Sequence, residues 1–328
     1  MIDSNTLGGI GAFNTLPRDR LFVALSRIAA LVLLVAVLSA ISPSFLTWSN
    51  FVTVMRQASL QFMLAAGLTI VVLAGGIDLS IGAVLGLAAC VAASLIKAGH
   101  IGTGAAAALA IGAAFGALNG LLVTRVRIPA FIATYGVMWI ANGFTHGFMK
   151  GDVIYGLPAD FRFIATGFIG GIPVPVVIAG AMFGLLALML HRTPFGRSIY
   201  AIGGNPAAAR LSGMPITRRI VAIYALSGLL AGFAALVVIA RINSADATVS
   251  DDLLLPALAA VCLGGTSLFG GVGGIGGTAI ASLILALVLN GMNIVGVATF
   301  WQQGVMGLII ILSVIADHLA GGLTSRQE

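Results

Sequence analysis

The chain is a succession of long apolar runs separated by short polar interruptions. The runs fall at 21–41, 57–74, 81–98, 102–124, 128–148, 173–190, 219–240, 253–268, 275–295 and 301–316. Most approach the roughly 20 residues that a helix needs to cross the hydrocarbon core of a bilayer; the eighth and tenth are shorter. Because backbone polar groups in lipid must be satisfied within the segment, such runs form helices. The pattern therefore predicts an all-α, polytopic membrane protein of about ten transmembrane helices. The first run, with Arg18, Arg20 and Arg27 at its start, has the outline of a signal peptide, but nine further runs favour a membrane anchor.

Composition agrees with this reading and narrows it. Charged residues make up 8% of the 328 positions and hydrophobic residues 59%, against roughly 25% charge in a soluble domain. Ten spans of about 20 residues leave no room for a sizeable soluble domain. The 44 glycines suit close helix packing. A net charge of +6 does not mark a nucleic-acid partner, because the basic residues sit at the ends of runs. With the N-terminus inside, the inner segments carry Arg18, Arg20, Arg27, Arg125, Arg127, Arg192, Arg197, Arg210, Arg218, Arg219 and Arg326, and the outer ones Arg56, Lys97, Lys150, Arg162 and Arg241. Lys and Arg accumulate on the cytoplasmic side, so both termini are expected there. This gives a tail at 1–20, a membrane domain at 21–316 and a tail at 317–328. Cys90 and Cys262 lie in apolar runs and read as small packing residues.

The longest inner segment, 191–219, has five arginines and no acidic residue. Within it Asn205 suits an N-cap and Pro206 the first helical position. Ala207 to Leu211 favour helix, and Gly213 with Pro215 supplies a stop. The expected helix is about seven residues long, with Gly203 and Gly204 permitting a sharp turn into it. So short a helix is not stable alone in water. It is either a connector held at anionic lipid or a docking helix for a cytoplasmic partner. The candidate docking residues are Gly203, Gly204, Asn205, Ala208, Arg210, Leu211, Ser212 and Gly213.

Between the second and third runs stands Gly75-Gly76-Ile77-Asp78-Leu79-Ser80-Ile81-Gly82. A carboxylate in hydrocarbon is costly unless partnered or facing water, and the glycines predict a break between helices. Asp78 either caps the helix beginning near Ser80 or touches substrate. A second glycine cluster at 264–277 echoes the first. Asn119-Gly120 is echoed by Asn290-Gly291, and Gly136-Val137-Met138 by Gly304-Val305-Met306, which hints at an internal repeat.

No nucleotide-binding loop is present: neither Lys97 nor Lys150 has the required flanking residues. HExxH and GxSxG are absent, and the four histidines are scattered, so no enzyme, no metal site and no cofactor bound by this chain is expected. Gradient coupling ordinarily needs several intramembrane ionisable groups, whereas only Asp78 qualifies, with Asp317 at the end of the last run. A gradient-driven secondary transporter or channel for a small polar solute is the alternative reading. The weakly polar span residues are Asn119, Tyr135, Asn142, Asn290, Asn293, Gln302 and Gln303, the last two beside Phe300 and Trp301. Each serves either helix association or an uncharged, hydroxyl-rich solute. The candidate pathway residues are Asp78, Ser80, Asn119, Asn290, Asn293 and Gln302.

Three segments, AGGIDLSIGAVLGLAA (74–89), AIGGNPAAARLSGM (201–214) and LAAVCLGGTSLFGG (258–271), resemble the membrane permeases of bacterial ABC importers for monosaccharides, the ribose-permease family. The likeness extends from about residue 40 to 316. It implies a multi-pass protein of the bacterial inner membrane that pairs with a second permease subunit, identical or different. It also implies cytoplasmic ABC ATPase subunits that bind ATP and Mg, and a periplasmic sugar-binding protein that supplies most of the affinity. The resemblance places the family's coupling helix on Asn205–Gly213. The chain departs from many relatives where Leu254 and Pro256 replace acidic residues, and at 272–275, where Val-Gly-Gly-Ile replaces basic ones.

Overall fold

The computed structural model describes residue 29 and residues 31–324, with side chains through residue 315; Arg18, Arg20, Arg27, Arg326 and the tail 1–20 lie outside them. Every apolar run holds a helix. In chain order these are α1 (Leu31–Ile41), α2 (Trp48–Leu73), α3 (Ile81–Lys97), α4 (Ile101–Leu121) and α5 (Ala130–Met149). There follow α6 (Ala159–Thr166), α7 (Val174–Arg192), α8 (Pro194–Gly204), α9 (Pro206–Leu211) and α10 (Ile216–Ile242). The last three are α11 (Leu254–Leu263), α12 (Ile275–Ile294) and α13 (Thr299–Thr324). Five, at Trp48–Leu73, Ile101–Val126, Val174–Arg192, Ile216–Ile242 and Ile275–Ile294, are long and apolar enough to cross a membrane, and α1, α3, α11 and α13 are shorter apolar helices. Among the described residues, the elements outside the runs are α6, α8, α9, a short 3-10 helix at Pro43–Leu46 and two small antiparallel pairs, Ile154–Tyr155 with Ser244–Ala245 and Phe168–Ile169 with Ile172–Pro173.

The core is built on α2, α3 and α10, whose facing side chains are buried, while α4, α5 and α7 expose large apolar residues such as Leu118, Trp139, Phe144 and Leu185. In a bilayer such faces meet lipid without penalty. The closest packing is between α4 and α10. A Cβ on Gly112 would overlap the carbonyl of Gly228, and one on Gly228 would overlap the carbonyl of Gly112. This reciprocal contact is what small residues at four-residue spacing allow. Asn50 and Asn290 clasp α2 to α12 through two amide hydrogen bonds, 3.1 and 2.8 Å.

Three boundaries differ from the hydropathy pattern. Helix α2 begins nine residues before its run, at Trp48, because Thr47 caps it by accepting from the Asn50 amide; Ser49, Asn50, Thr53, Arg56 and Gln57 conceal those turns from an apolar count. Helix α11 stops at Leu263, short of the run's end at 268. Helix α13 continues to Thr324, beyond the expected start of the tail at 317.

Both predicted glycine breaks are present, after Leu73 and after Leu263. A third irregular segment precedes α11. The Cys90 thiol donates to the Asp246 carbonyl at 3.2 Å, Ser250 lies over Gly86, and Leu254 lies over Gly82. The chain after α10 thus descends along α3 for about two turns before α11 begins. Such backbone is tolerated at membrane depth where protein covers it.

Candidate functional site

At the arginine-rich end, α8 and α9 form an elbow. Thr193 caps α8 by accepting from the Gly196 amide at 3.1 Å, and Asn205 caps α9 by accepting from the Ala208 amide at 3.0 Å. Gly203 and Gly204 do not form the expected sharp turn. They are the last helical residues of α8, and the bend falls on Asn205 in an extended conformation (φ −155°). Gly213, with φ +78°, ends the segment after α9. The elbow is anchored by Ile202, Ala209 and Ile216, which pack together in the interior. Arg210, Ser212 and Gly213 are exposed, and Leu211 is 89% exposed. The short capped helix thus has one face fixed against the protein, while a leucine and an arginine project outward. Arg219 is engaged internally, its guanidinium 5.7 Å from the Phe195 ring centre.

What fixes Gly203 is contact rather than conformational freedom. A Cβ there would overlap the Leu73 carbonyl oxygen and come within 2.5 Å of the Gly271 amide nitrogen. Gly271 in turn donates to the Leu73 carbonyl at 2.9 Å, and a Cβ on Gly270 would lie 2.8 Å from the Gly75 backbone. Both glycine breaks and the end of α8 therefore meet backbone to backbone. The Tyr200 hydroxyl, whose pKa is pushed up by burial, adds a bond to the Gly273 carbonyl at 3.2 Å.

Above this junction the chain from Gly76 to Ser80 is held by a buried polar knot. The Asp78 carboxylate accepts from the Ser80 amide at 3.0 Å and from its hydroxyl at 2.6 Å. The Asn119 amide donates to the Ser80 hydroxyl at 2.7 Å. The Ile77 carbonyl accepts from Thr134 and Tyr224, both at 3.3 Å. Asp78, Ser80 and Asn119 are all essentially inaccessible. The carboxylate and the serine hydroxyl are thereby partnered locally, whereas the Asn119 side-chain oxygen is buried without a hydrogen-bond partner.

The opposite end opens into a cavity of about 350 Å³ between α2, α10, α12, α13 and the start of α11. Its polar lining is Gln57, Gln61, Arg241, Asn293, Gln302 and Gln303, with Asp251, Asp252 and Thr299. One to two turns deeper on the same helices the lining becomes Leu64, Ala234, Leu289 and Met306, joined by Leu85. Gln302 donates to Asn293 at 2.8 Å, Gln61 to the Pro256 carbonyl at 3.0 Å, and Gln303 to Asp252.

Of the sequence-stated pathway residues, the structure thus places Asn293 and Gln302 in the cavity, Asp78, Ser80 and Asn119 in the knot beside the junction, and Asn290 in the clasp with Asn50. Gln57, Gln61 and Arg241 were not singled out by sequence reasoning. They lie near the ends of runs and signal nothing until four helices are brought together.

The sequence matches the family described as the permease component of a branched-chain amino acid transport system over residues 50–314. It is 42% identical over 294 residues to the ribose import permease protein RbsC of Escherichia coli (strain K12), covering 88% of this chain and 92% of that protein. It is 41% identical to RbsC of Bacillus subtilis (strain 168), covering 92% and 94% respectively. Identity to the D-allose transport system permease protein AlsC of Escherichia coli (strain K12) is 37%, covering 88% and 90%. No solved structure matches the chain.

Proposed function

The chain belongs to this family of permeases, and we propose that within it the protein is the membrane subunit of an ATP-driven importer that carries a monosaccharide across the inner membrane. The ribose and allose permeases among its relatives support the substrate class. The multi-pass helical architecture fits a membrane domain over 21–316 with its arginine-rich end, both tails and the loop 191–219 in the cytoplasm.

The observation that carries the reading is the capped helix α9, which presents Arg210 and Leu211 outward while its root at Gly203 touches both helix breaks. A partner that binds and hydrolyses ATP with Mg would dock on α9. Its motion would reach Leu73 and Gly271 directly, because glycine backbones in contact leave no compressible side chain between them. A displacement there bears on α2 and α12, which line the cavity at the other end. In this account Asn293 and Gln302 face the solute, and Asp78, Ser80 and Asn119 hold the break that must move as one piece. A periplasmic binding protein would deliver sugar to the cavity mouth, and a second permease subunit would complete the assembly.

The test is co-purification. The intact permease should recover its ATPase subunits from membranes, and Arg210→Glu with Leu211→Glu should abolish recovery without loss of permease yield. Undiminished recovery would remove α9 from the account.

A further inference from the structure

The loop between α11 and α12 turns sharply at the arginine-rich end of the molecule. Two backbone bonds of 3.0 Å close it, from the Ser267 amide to the Val272 carbonyl and from the Gly270 amide to the Ser267 carbonyl. Gly270 and Gly271, at φ +87° and +75°, supply left-handed turns that a side chain would strain. Leu268 packs inward on the core. Phe269, at the tip, is 83% exposed, and Val272 is exposed beside it. Among the described residues, only Leu211 exposes a larger fraction of a large apolar side chain.

These two apolar points belong to one surface. A Cβ on Gly270 would lie 3.0 Å from the Gly203 Cα, and one on Gly271 2.8 Å from the Gly204 Cα. The loop thus backs onto the residues directly before Asn205, the cap of α9. Lipid is a poor cover for the tip. The Gly271 amide holds the loop over the end of α2 through the Leu73 carbonyl, and Leu68 and Ile70 to Leu73 are wholly buried. A loop covering the end of a central helix turns its exposed tip along the helix axis rather than sideways into the bilayer. Arg192, Arg197, Arg210 and Arg218 are exposed at the same end. Neither 191–219 nor 264–274 contains an acidic residue. The complementary surface is therefore acidic, with apolar recesses.

We infer that the 266–273 loop is a second docking point for the ATP-hydrolysing partner, with Phe269 entering an apolar recess on the partner's acidic face. The inference rests on the importer reading above and deepens it, since that reading assigns docking to α9 alone. Aromatic side chains and arginines are the residues that interface cores favour. A loop already closed by its own backbone bonds loses little freedom on binding. The consequence is mechanical. A partner that grips both α9 and Phe269 holds the two elements that meet at Gly203 and Gly271. Its motion then acts across the bond from Gly271 to Leu73 from both sides, instead of reaching it through the elbow only.

The experiment uses the full chain in nanodiscs, titrated with purified ATPase subunits, with Phe269→Cys, Val272→Cys and Leu211→Cys made one at a time. The native Cys90 and Cys262 are buried, so a water-soluble maleimide reads the introduced thiol. All three thiols should label in the permease alone, and bound ATPase subunits should slow labelling severalfold at each. Phe269→Ala should weaken ATPase binding about tenfold, the loss expected for a truncated interface anchor, and Phe269→Leu should restore most of it. Phe300→Ala, which removes an exposed aromatic at the opposite end, should leave the affinity unchanged. Variants are scored on monodisperse preparations, and Val272→Cys reports on the loop if the Phe269 variants misfold. Protection at Leu211→Cys with unchanged labelling at Phe269→Cys and Val272→Cys overturns the second docking point and leaves the importer reading intact. Failure of both loop thiols to label in the permease alone assigns the tip to lipid or to a second copy of the chain, and equally overturns it. Absence of any ATPase binding by the wild-type permease strikes the importer reading itself.

Discussion

The amide of Gly271 donates to the carbonyl of Leu73 at 2.9 Å. This bond joins the loop between α11 and α12 to the last residue of α2, and Gly203 of the elbow packs directly against both. Two interruptions nearly 200 residues apart in sequence thereby become one mechanical junction, and the loop proposed to meet the ATPase lies against it.

Replacing Gly203 tests the junction. Gly203→Val should leave α9 exposed and able to bind the ATPase subunits, because Asn205 and Leu211 are untouched. The valine side chain would still drive the elbow away from Leu73. Assembly by pull-down should persist, whereas ATP-dependent uptake should fall at least tenfold. Normal uptake by the variant would show that close contact at Gly203 is dispensable.

Helix α4 and helix α10 offer a stability test that is independent of function. Gly228→Leu places a branched side chain against the Gly112 backbone, and overpacking of this kind costs about 1–3 kcal/mol or more. The expected outcome is a lower melting temperature and loss of a monodisperse peak in detergent. Gly180→Leu on α7, where nothing lies within 4 Å of an added Cβ, should behave as wild type. Equal behaviour of the two variants would contradict the packing described.

Asp78 separates a structural carboxylate from one that meets solute. Asp78→Asn retains an oxygen to accept from the Ser80 amide and hydroxyl, so yield and uptake should stay within a few-fold of wild type. Asp78→Ala leaves both donors buried and unpaired, at about 1–3 kcal/mol, and should reduce yield sharply. If Asp78→Asn folds normally but transports nothing, the negative charge itself acts on the pathway.

The Asn205 cap is the remaining local test. Asn205→Ala removes the acceptor for the Ala208 amide, worth about 1 kcal/mol. It should weaken ATPase binding by roughly fivefold, and Asn205→Asp should restore most of it. Titration of purified ATPase subunits against nanodisc-bound permease measures both.

Much of this architecture was legible in the sequence because lipid exposure writes itself into long apolar runs. The two glycine breaks and the Asn205 cap were equally readable, since each depends on residues adjacent in the chain. Helix α8 was not. Pro194, Gly196, Gly203 and Gly204 look like breakers, but burial of Ile199 and Ile202 secures the helix, and Gly203 is needed for contact rather than for turning. The descending segment before α11 falls in the polar gap between the runs at 219–240 and 253–268, where it reads as an ordinary loop. The cavity left least trace of all, because its glutamines and Arg241 are dispersed over nearly 250 residues and meet only when α2, α10, α12 and α13 pack.

The central claim is that this permease moves solute on energy received through α9 from an ATP-hydrolysing partner. ATP-dependent uptake of a labelled monosaccharide into proteoliposomes holding the permease, its ATPase subunits and the binding protein measures it most directly. Uptake should require ATP on the α9 side, persist when proton and sodium gradients are collapsed, and vanish with Leu211→Glu. Uptake that proceeds without the ATPase subunits and follows an imposed ion gradient would contradict the account.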